Sequence, residues 1–338
     1  MKPTVGTKQS ERRHAPQNRT LALTQRETEE YRSRLIRINQ PAALKDVLAR
    51  TICQDIFEVL PFLPSASVDL LFADPPYNLD KTFNGSSFKK LDLDDYECWV
   101  ESWLGQMVRL LKPTASVYVC CDWRSSAAVH RVCSKHLIVR NRITWERDKG
   151  RGAESNWKNC AEDIWFCTKG HSYTFNVESV KLKRRILAPY SDPDGSPRGW
   201  VQGQQGKFRL TYPSNMWTDV TVPFWSMPEN TEHPTQKAEK LLAKVILASS
   251  QPKDVVFDPF LGSGTTSVVA KKLNRNFFGV EIDPHYCCLA EKRLANANVS
   301  QQIQGYVDNV FWERNSIAAS RQQTIKPDWN IFGSSGEE

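Results

Sequence analysis

Short apolar runs alternate with amphipathic stretches along two parts of this chain, and this alternation constrains the fold more than any other feature. Residues 68–72, 115–121 and 254–258 are strand-like runs rich in β-formers. Residues 94–111 and 285–296 instead repeat apolar side chains at helical spacing. Strands that alternate with helices predict an α/β fold with a doubly wound, mostly parallel sheet and helices on both faces.

The alternation divides the chain into regions. It covers residues 26–170 and 233–313, and we assign both to one α/β domain. Between them, residues 171–232 mix basic with aromatic side chains and contain frequent proline and glycine, which predicts an inserted irregular subdomain. A purely structural insertion with solvated lysines is the alternative. The polar, basic residues 1–25 are predicted to be a disordered arm, and 314–338 a polar tail.

Composition narrows the class of protein. The chain has 338 residues and a net charge of +7, which permits a polyanionic partner without requiring one. Its nine cysteines include no CxxC pair, which favours reduced thiols in the cytosol. The six histidines show no metal-ligand spacing, so no metal is expected. No apolar run reaches transmembrane length, and residues 1–20 lack the apolar core of a secretory signal, so no membrane association is expected.

The run 68–72 ends in the tetrapeptide Asp74-Pro75-Pro76-Tyr77, an unusual end for a buried strand. The two prolines fix φ, remove two backbone donors and leave carbonyl oxygens free to accept hydrogen bonds. Asp74 adds an acceptor and Tyr77 a flat apolar face. Acceptors beside a ring suit a planar group with an amino donor, such as the Watson–Crick edge of adenine or cytosine.

A glycine-rich turn follows a later strand and opens a helix. Gly262 and Gly264 let the backbone approach a ligand closely, next to the unpaired N–H groups of a helix N-terminus. Glu281 ends the next strand, where an acid commonly holds ribose hydroxyls. Nicotinamide enzymes share these features, but Ser267 stands where the third glycine of their motif would fall. Asp258 suits a cationic ligand better than a pyrophosphate.

Four carboxylates end predicted strands, namely Asp55, Asp74, Asp258 and Glu281. Ligands of doubly wound sheets bind at the carboxyl ends of strands, so we predict that one crevice contains all four. The alternative for each acid taken singly is a helix N-cap.

Three motifs together resemble the S-adenosylmethionine-dependent DNA amino-methyltransferases. They are Asp74 to Tyr77, residues 257–266, and the sequence Glu-His-Pro-Thr-Gln-Lys at 232–237. The likeness covers about residues 50–170 and 232–297, and the motif order resembles the permuted beta group of the family. It implies a Rossmann-like sheet of seven strands. Asp at the head of the tetrapeptide is typical of N6-adenine enzymes, whereas Ser is more common in N4-cytosine enzymes. Ala238 departs from the family, which usually has proline there.

The resemblance implies the roles of particular residues. Catalysis would belong to Asp74, Pro75, Pro76 and Tyr77, with Asp74 and the Pro75 carbonyl accepting the target amino hydrogens and Tyr77 stacking on a flipped base. The residues implied to bind S-adenosyl-L-methionine are Asp55, Ile56, Asp74, Thr235, Lys237, Asp258, Phe260, Gly262, Ser263, Gly264, Thr265, Glu281 and Ile282. Within that set Asp258 would lie near the ammonium, Thr235 and Lys237 near the carboxylate, Glu281 at the ribose, and Asp55 and Ile56 at the adenine.

The resemblance also implies double-stranded DNA as the partner and residues 171–232 as the target-recognition region. The side chains expected to contact DNA are Lys89, Lys90, Lys183, Arg184, Arg185, Arg198 and Lys207. The polar loop 78–93 is expected to close over the base or touch phosphates. Family members are usually bacterial and often the modification half of a restriction–modification system, so a separate cognate endonuclease is a candidate partner and the bacterial cytoplasm or nucleoid the expected location.

Several alternatives stay open at this point. N4-cytosine methylation is the first, and a structured RNA substrate is another. A nucleic-acid-binding protein with a relic methyltransferase core belongs to a different class, and the intact Asp74, Tyr77, Asp258 and Gly264 speak against it. A nicotinamide oxidoreductase lacks its diagnostic glycine turn here. The chain contains no Pro-Cys dipeptide, the usual setting of the nucleophile in C5-cytosine enzymes.

Overall fold

The computed structural model describes residues 17–83, 86–147, 154–187, 190–203 and 206–314. Helices α1 to α8 span, in order, Gln25–Arg32, Leu44–Val47, Ile56–Val59, Leu93–Met107, Ser126–His136, Glu239–Ser249, Thr265–Lys272 and Pro284–Asn296. Strands β1 to β15 span, in order, Arg50–Cys53, Val68–Ala73, Lys81–Phe83, Ser86–Phe88, Leu111–Cys121, Ile138–Glu146, Ala161–Thr168, Leu182–Arg185, Val201–Gly203, Gly206–Thr211, Met216–Trp217, Val255–Asp258, Asn276–Glu281, Tyr306–Val307 and Val310–Trp312.

The main sheet has eight strands in the order β1-β13-β12-β2-β5-β7-β6-β11. Neighbouring strands run parallel except where β7 pairs with β5 and β6. The predicted mostly parallel α/β sheet is therefore confirmed. The expected count of seven strands is one too low. The eighth strand is the two-residue β11, which belongs to the inserted segment and pairs with β6 at the edge of the main sheet.

Both faces of the main sheet are buried, as a doubly wound sheet requires. Successive residues of a strand point to opposite faces, so Leu70 packs in one apolar cluster and Leu71 in the other. Helices α6 and α7 cover the first face, and α4 and α5 cover the second. The predicted placement of helices on both faces is confirmed.

The strand order brings the two main motifs together at a switch point of the sheet. Strand β2 pairs with β12, with Leu71 opposite Phe257. Strand β5 lies on the other side of β2, and β13 lies on the other side of β12. The carboxyl ends of these parallel strands share one edge, where a doubly wound sheet forms its ligand crevice.

A second sheet contradicts the prediction that residues 171–232 are irregular. Its order is β14-β15-β8-β10-β9, and three of these strands come from the inserted segment. Phe208 is buried in β10 and contacts Trp312 of β15 at a ring distance of 5.6 Å. Residues 306–312, expected to belong to the α/β domain, therefore share one sheet with the inserted segment. Long-range pairing of this kind leaves no signal in local periodicity.

Two predicted helix boundaries are also wrong. The helix expected over 94–111 ends at Met107 and continues as one 3₁₀ turn to Leu110, while Pro113 lies in β5. The pairing of β5 with β2 shifts register between Val68 and Leu70, and such an irregularity tolerates a proline. The apolar residues within 234–250 also predict a helix that starts at Pro234, but α6 begins only at Glu239.

The segment 78–93, predicted to be a loop, contains the short hairpin of β3 and β4. Asn78 fixes its base, because the Asn78 amide donates to the Leu91 carbonyl at 3.0 Å and accepts from the Leu91 N–H at 2.7 Å. Phe88 packs against Trp99 of α4 at a ring distance of 5.4 Å. The hairpin is thus attached to the helix layer. None of the described helices combines the length and apolarity needed to cross a bilayer.

Candidate active site

A cavity of about 480 Å³ opens at the carboxyl edge of the main sheet, and all three motifs line it. The four residues of the tetrapeptide Asp74 to Tyr77 contribute to its wall. Every residue to which the resemblance gives a cofactor role also lines it, with the exception of Gly264. The predicted single crevice for the four strand-end carboxylates is confirmed as geometry, while the individual roles stay predictions.

Asp74 belongs to a closed polar ring of four side chains, which comprises Asp74, Tyr77, Glu162 and Lys237. The Tyr77 hydroxyl lies 3.0 Å from Asp74 Oδ1 and 3.0 Å from Glu162 Oε2. On the other side, Lys237 Nζ lies 2.5 Å from Asp74 Oδ2 and 3.5 Å from Glu162 Oε2. Arg147 extends the ring outward, with Nη1 at 2.5 Å from Glu162 Oε1.

Burial and charge act against each other in the polar ring. Burial raises the pKa of Asp74; the Lys237 ammonium opposes this effect and the Glu162 carboxylate reinforces it. Burial would lower the pKa of Lys237, but the carboxylates of Asp74 and Glu162 outweigh it and raise that pKa overall. Lys237 is therefore a permanent cation held between two acids. The structure pairs Lys237 with Asp74, and the expected place of Lys237 at the cofactor carboxylate stays a prediction.

The backbone of the tetrapeptide offers the acceptors that its prolines predict. The Pro76 carbonyl accepts a hydrogen bond from the buried Tyr96 hydroxyl at 3.0 Å. No described residue donates to the carbonyl of Pro75, a residue that lines the cavity. Two acceptors, the Asp74 carboxylate and the Pro75 carbonyl, are thus available at adjacent positions.

The glycine turn between β12 and α7 needs its glycines for two separate reasons. Gly262 and Gly264 have φ values of 53° and 82°, a region in which other residues are strained. A Cβ on Gly264 would lie 2.6 Å from the Ala290 Cβ of α8. Gly264 therefore serves the close packing of turn against helix, which explains why it supports the cavity without lining it.

Two buried carboxylates hold this turn in place. Glu281 accepts from the Gly262 N–H at 2.8 Å and from the Asp283 N–H at 2.9 Å. Asp258 accepts from the Phe260 N–H at 2.9 Å and from the Thr266 hydroxyl at 2.5 Å. Burial raises the pKa of both groups to about 7. Each carboxylate keeps spare lone pairs for a ligand, because each of its oxygens accepts only one of these bonds.

Asp55 is a helix N-cap, the alternative role considered above for each strand-end acid. Its side chain accepts from the Phe57 N–H at 2.8 Å and caps α3. Asp55 and Ile56 also line the cavity, so capping and ligand contact are compatible at this position.

Sequence reasoning missed two charged residues that support the site. Glu162, on β7, is 6% exposed at its side chain and completes the polar ring. Arg293, on α8, is 2% exposed and donates to the Ser263 carbonyl at 3.0 Å and the Thr265 hydroxyl at 2.8 Å. Neither lies in a motif; the available signal was a charge within an otherwise apolar strand or helix face.

The seven basic residues expected at DNA fall into two groups. Lys89 and Lys90 are exposed directly after β4 and follow Phe88, which lines the cavity. Most of the others lie on β8 and β10 of the second sheet, and Arg198 lies on the loop before β9. Lys183 is half-buried, with Nζ 4.2 Å from the Trp312 ring centre, so it packs within the subdomain. In the described ranges no group of three or more potential ligands could hold a metal ion.

Comparison with known proteins agrees with this arrangement. The profile of a family described as "DNA methylase" matches residues 68–292. The protein named DNA adenine methyltransferase YhdJ, from Escherichia coli strain K12, is 34% identical over 255 residues, which cover 73% of this chain and 83% of that protein. Type II methyltransferase M.HpaI from Haemophilus parainfluenzae is 31% identical over 248 residues, covering 72% and 74% respectively.

A solved structure, the M1.HpyAVI–SAM complex, shares the fold with a TM-score of 0.50. It is 23% identical and covers 72% of this chain and 98% of its own. At this identity the likeness concerns the arrangement of the chain and not the details of the site.

Proposed function

Because this chain belongs to the DNA methylase family, we propose that it transfers a methyl group from S-adenosyl-L-methionine to the N6 amino group of adenine in double-stranded DNA. The observation that carries the proposal is the single cavity shared by the Asp74 tetrapeptide and the glycine turn. A methyl donor and an acceptor amine must meet in one space, and here both sets of residues face it.

The residues of the glycine turn fit this donor. A Cβ on Gly262 would lie 3.0 Å from His233 Nε2, so a side chain at this position would crowd His233 at the cavity wall. The Asp258 and Glu281 carboxylates match a ligand that has an ammonium group and ribose hydroxyls. The donor, when bound, supplies a methyl group activated by the positive charge of its sulfonium.

The protein's own task is to prepare and position the amine. The nitrogen lone pair of adenine N6 is delocalised into the ring, so the free amine is a poor nucleophile. Hydrogen bonds from N6 to Asp74 and to the Pro75 carbonyl draw the N–H bonds out of conjugation and localise the lone pair. Alignment of the two reactants in the cavity supplies a further large part of the rate enhancement.

The target base has to leave the duplex to reach Asp74, at a cost of a few kcal/mol. Stacking on the Tyr77 ring offsets about 1–3 kcal/mol of that cost. Residues 171–232 would select the DNA sequence, and the exposed Arg198 and the half-buried Lys207 would contact phosphates. A role in a restriction–modification system, with a separate endonuclease in a bacterial cytoplasm, fits the name of the relative M.HpaI.

The choice of adenine rests on Asp74 as the first residue of the tetrapeptide and on the name of the relative YhdJ. It is tested by incubating the purified protein with labelled S-adenosyl-L-methionine and duplex DNA, followed by digestion and separation of the nucleosides. We expect label in N6-methyladenine. Label in N4-methylcytosine would replace the adenine proposal, and label in RNA only would overturn the DNA substrate.

A further inference from the structure

Glu162 is a buried acid at the site that none of the three motifs contains. We propose that Glu162 is a positioning residue that helps to remove the proton released by the target amino group, acting on Asp74 through the Tyr77 hydroxyl. The inference rests on the proposed amino-methylation and extends it to a residue of β7.

The donors and acceptors of the polar ring support such a proton path. The Tyr77 hydroxyl lies 3.0 Å from both carboxylates, but it has a single proton to donate. If both carboxylates were ionised, Tyr77 Oη could donate to only one of them. At the other contact two oxygen atoms would face each other with no proton between them. Both contacts become hydrogen bonds when one carboxyl carries a proton and donates it to Tyr77 Oη. The ring therefore has the geometry of a site that holds one extra proton.

The reaction supplies that proton. As N6 forms its new bond to the methyl carbon, the carbon–sulfur bond breaks and its electron pair stays on sulfur. The nitrogen then carries a positive charge and must lose one of its two hydrogens. Asp74 accepts this proton and passes it to Tyr77 Oη, while Tyr77 gives its own proton to Glu162. The step needs no further reactant, and Asp74 ends ionised.

The charges around the ring favour onward release of the proton. Asp74 and Glu162 are balanced by Lys237 and Arg147, so the group is neutral before the reaction. An added proton makes it positive within a buried setting, which promotes loss of that proton. Arg147 is 34% exposed at its side chain and contacts the buried Glu162, so Glu162 lies next to a group that reaches solvent.

Two conservative variants test the path in the full-length protein. Tyr77→Phe keeps the ring that would stack on the base and removes only the bridging hydroxyl. Glu162→Gln keeps the shape of the side chain and removes its charge. The matched control is Glu146→Gln, because Glu146 lies on the adjacent strand β6 and pairs with Arg314 outside the ring.

The readout is the single-turnover rate of adenine methylation, with cofactor binding measured by calorimetry to confirm that each variant is folded. We expect each single variant to lose about 100-fold in rate, at the lower end of the range for a positioned acid–base group. The double variant should lose no more rate than the slower of the two single variants, because both changes break the same path. Glu146→Gln should stay within about twofold of the wild type.

The pH profile separates this role from a structural one. The Glu162 charge raises the pKa of Asp74, so Glu162→Gln should move the acid limb of the rate profile to lower pH. Single variants within about threefold of an active wild type, losses that multiply in the double variant, or an unmoved acid limb would each overturn the path. A wild type that binds the cofactor but methylates no adenine would overturn the proposed function as well.

Discussion

Lys237 Nζ lies 2.5 Å from Asp74 Oδ2, although 163 residues separate them in the chain. The contact joins the tetrapeptide after β2 to the segment that precedes α6. Thr265, at the start of α7, donates to the Lys237 carbonyl at 3.1 Å and so connects the glycine turn to the same lysine. Lys237 is thus the residue at which the three motifs meet.

Loss of the Lys237 charge should destabilise the fold. Lys237→Met leaves Asp74 and Glu162 buried without their shared cation, and we expect a loss of about 3–5 kcal/mol in the free energy of unfolding, measured in urea. Lys112→Met is the control, since Lys112 pairs with Asp69 at 2.8 Å but is 37% exposed at its side chain. That change should cost about 1 kcal/mol or less. Equal losses would contradict the account.

The same variant should respond to pH in a defined direction. Without Lys237, the folded-state pKa of Asp74 rises further above its unfolded value. A group of this kind contributes stability at low pH that is lost as the pH rises through the folded pKa. The deficit of Lys237→Met relative to the wild type should therefore be smaller at pH 5 than at pH 8, as judged from urea midpoints at both pH values.

Gly264→Ala should be costly because strain and steric overlap act together. The left-handed φ of 82° penalises alanine by about 1–2 kcal/mol, and the new Cβ would collide with Ala290. Overpacking adds about 1–3 kcal/mol. Gly195→Ala is a matched control, because Gly195 has a φ of 85° and no atom within 4 Å of the added Cβ. Gly195→Ala should therefore lose stability through backbone strain alone. Similar urea midpoints for the two variants would contradict a steric cost at Gly264.

Cofactor binding should depend on pH near neutrality. Burial raises the pKa of Asp258 and Glu281 to about 7, so both acids are largely protonated below that pH. A bound ammonium group favours the ionised form of Asp258. Affinity for S-adenosyl-L-methionine should therefore fall as the pH drops from 8 to 6, with release of protons on binding. Calorimetry in buffers of different ionisation enthalpy measures that release, and Asp258→Asn should reduce it.

The second sheet should supply salt-dependent DNA affinity. Arg198→Ala and Lys207→Ala should each lower the slope of log affinity against log salt by about 1, since each removes one phosphate contact. Lys135→Ala is the control, because Lys135 pairs with Glu97 and Glu101 of α4, which packs on the other face of the main sheet from the second sheet. Fluorescence anisotropy with duplex DNA at several salt concentrations measures the slopes. Unchanged slopes in both basic variants would remove this surface from the DNA interface.

Local signals made much of the site predictable from sequence. Asp74 and Glu281 follow or end apolar runs, and strands of a parallel sheet carry such residues to one edge. Gly264 stands where a turn must take positive φ before a helix. These positions depend on neighbours within a few residues, which periodicity and turn chemistry can describe.

Other parts depended on contacts that sequence patterns do not record. Glu162 lies 85 residues from Tyr77 in the chain, and only the pairing of β7 with β5 brings it to the site. Strand β15 likewise joins β8 across more than 120 residues of chain. The late start of α6 reflects side-chain bonds such as the one from Thr231 N–H to the Gln236 side chain at 2.8 Å, which hold a turn before the helix.

We infer that Asp74 directs methyl transfer to adenine N6 in DNA. The most direct measurement is sequencing, with a method that detects modified bases, of genomic DNA from cells that express either the wild type or Asp74→Ala. We predict N6-methyladenine at one position of a recurring short sequence with the wild type, and none with Asp74→Ala. N4-methylcytosine, unmodified DNA from the wild-type cells, or equal modification in both would contradict the claim.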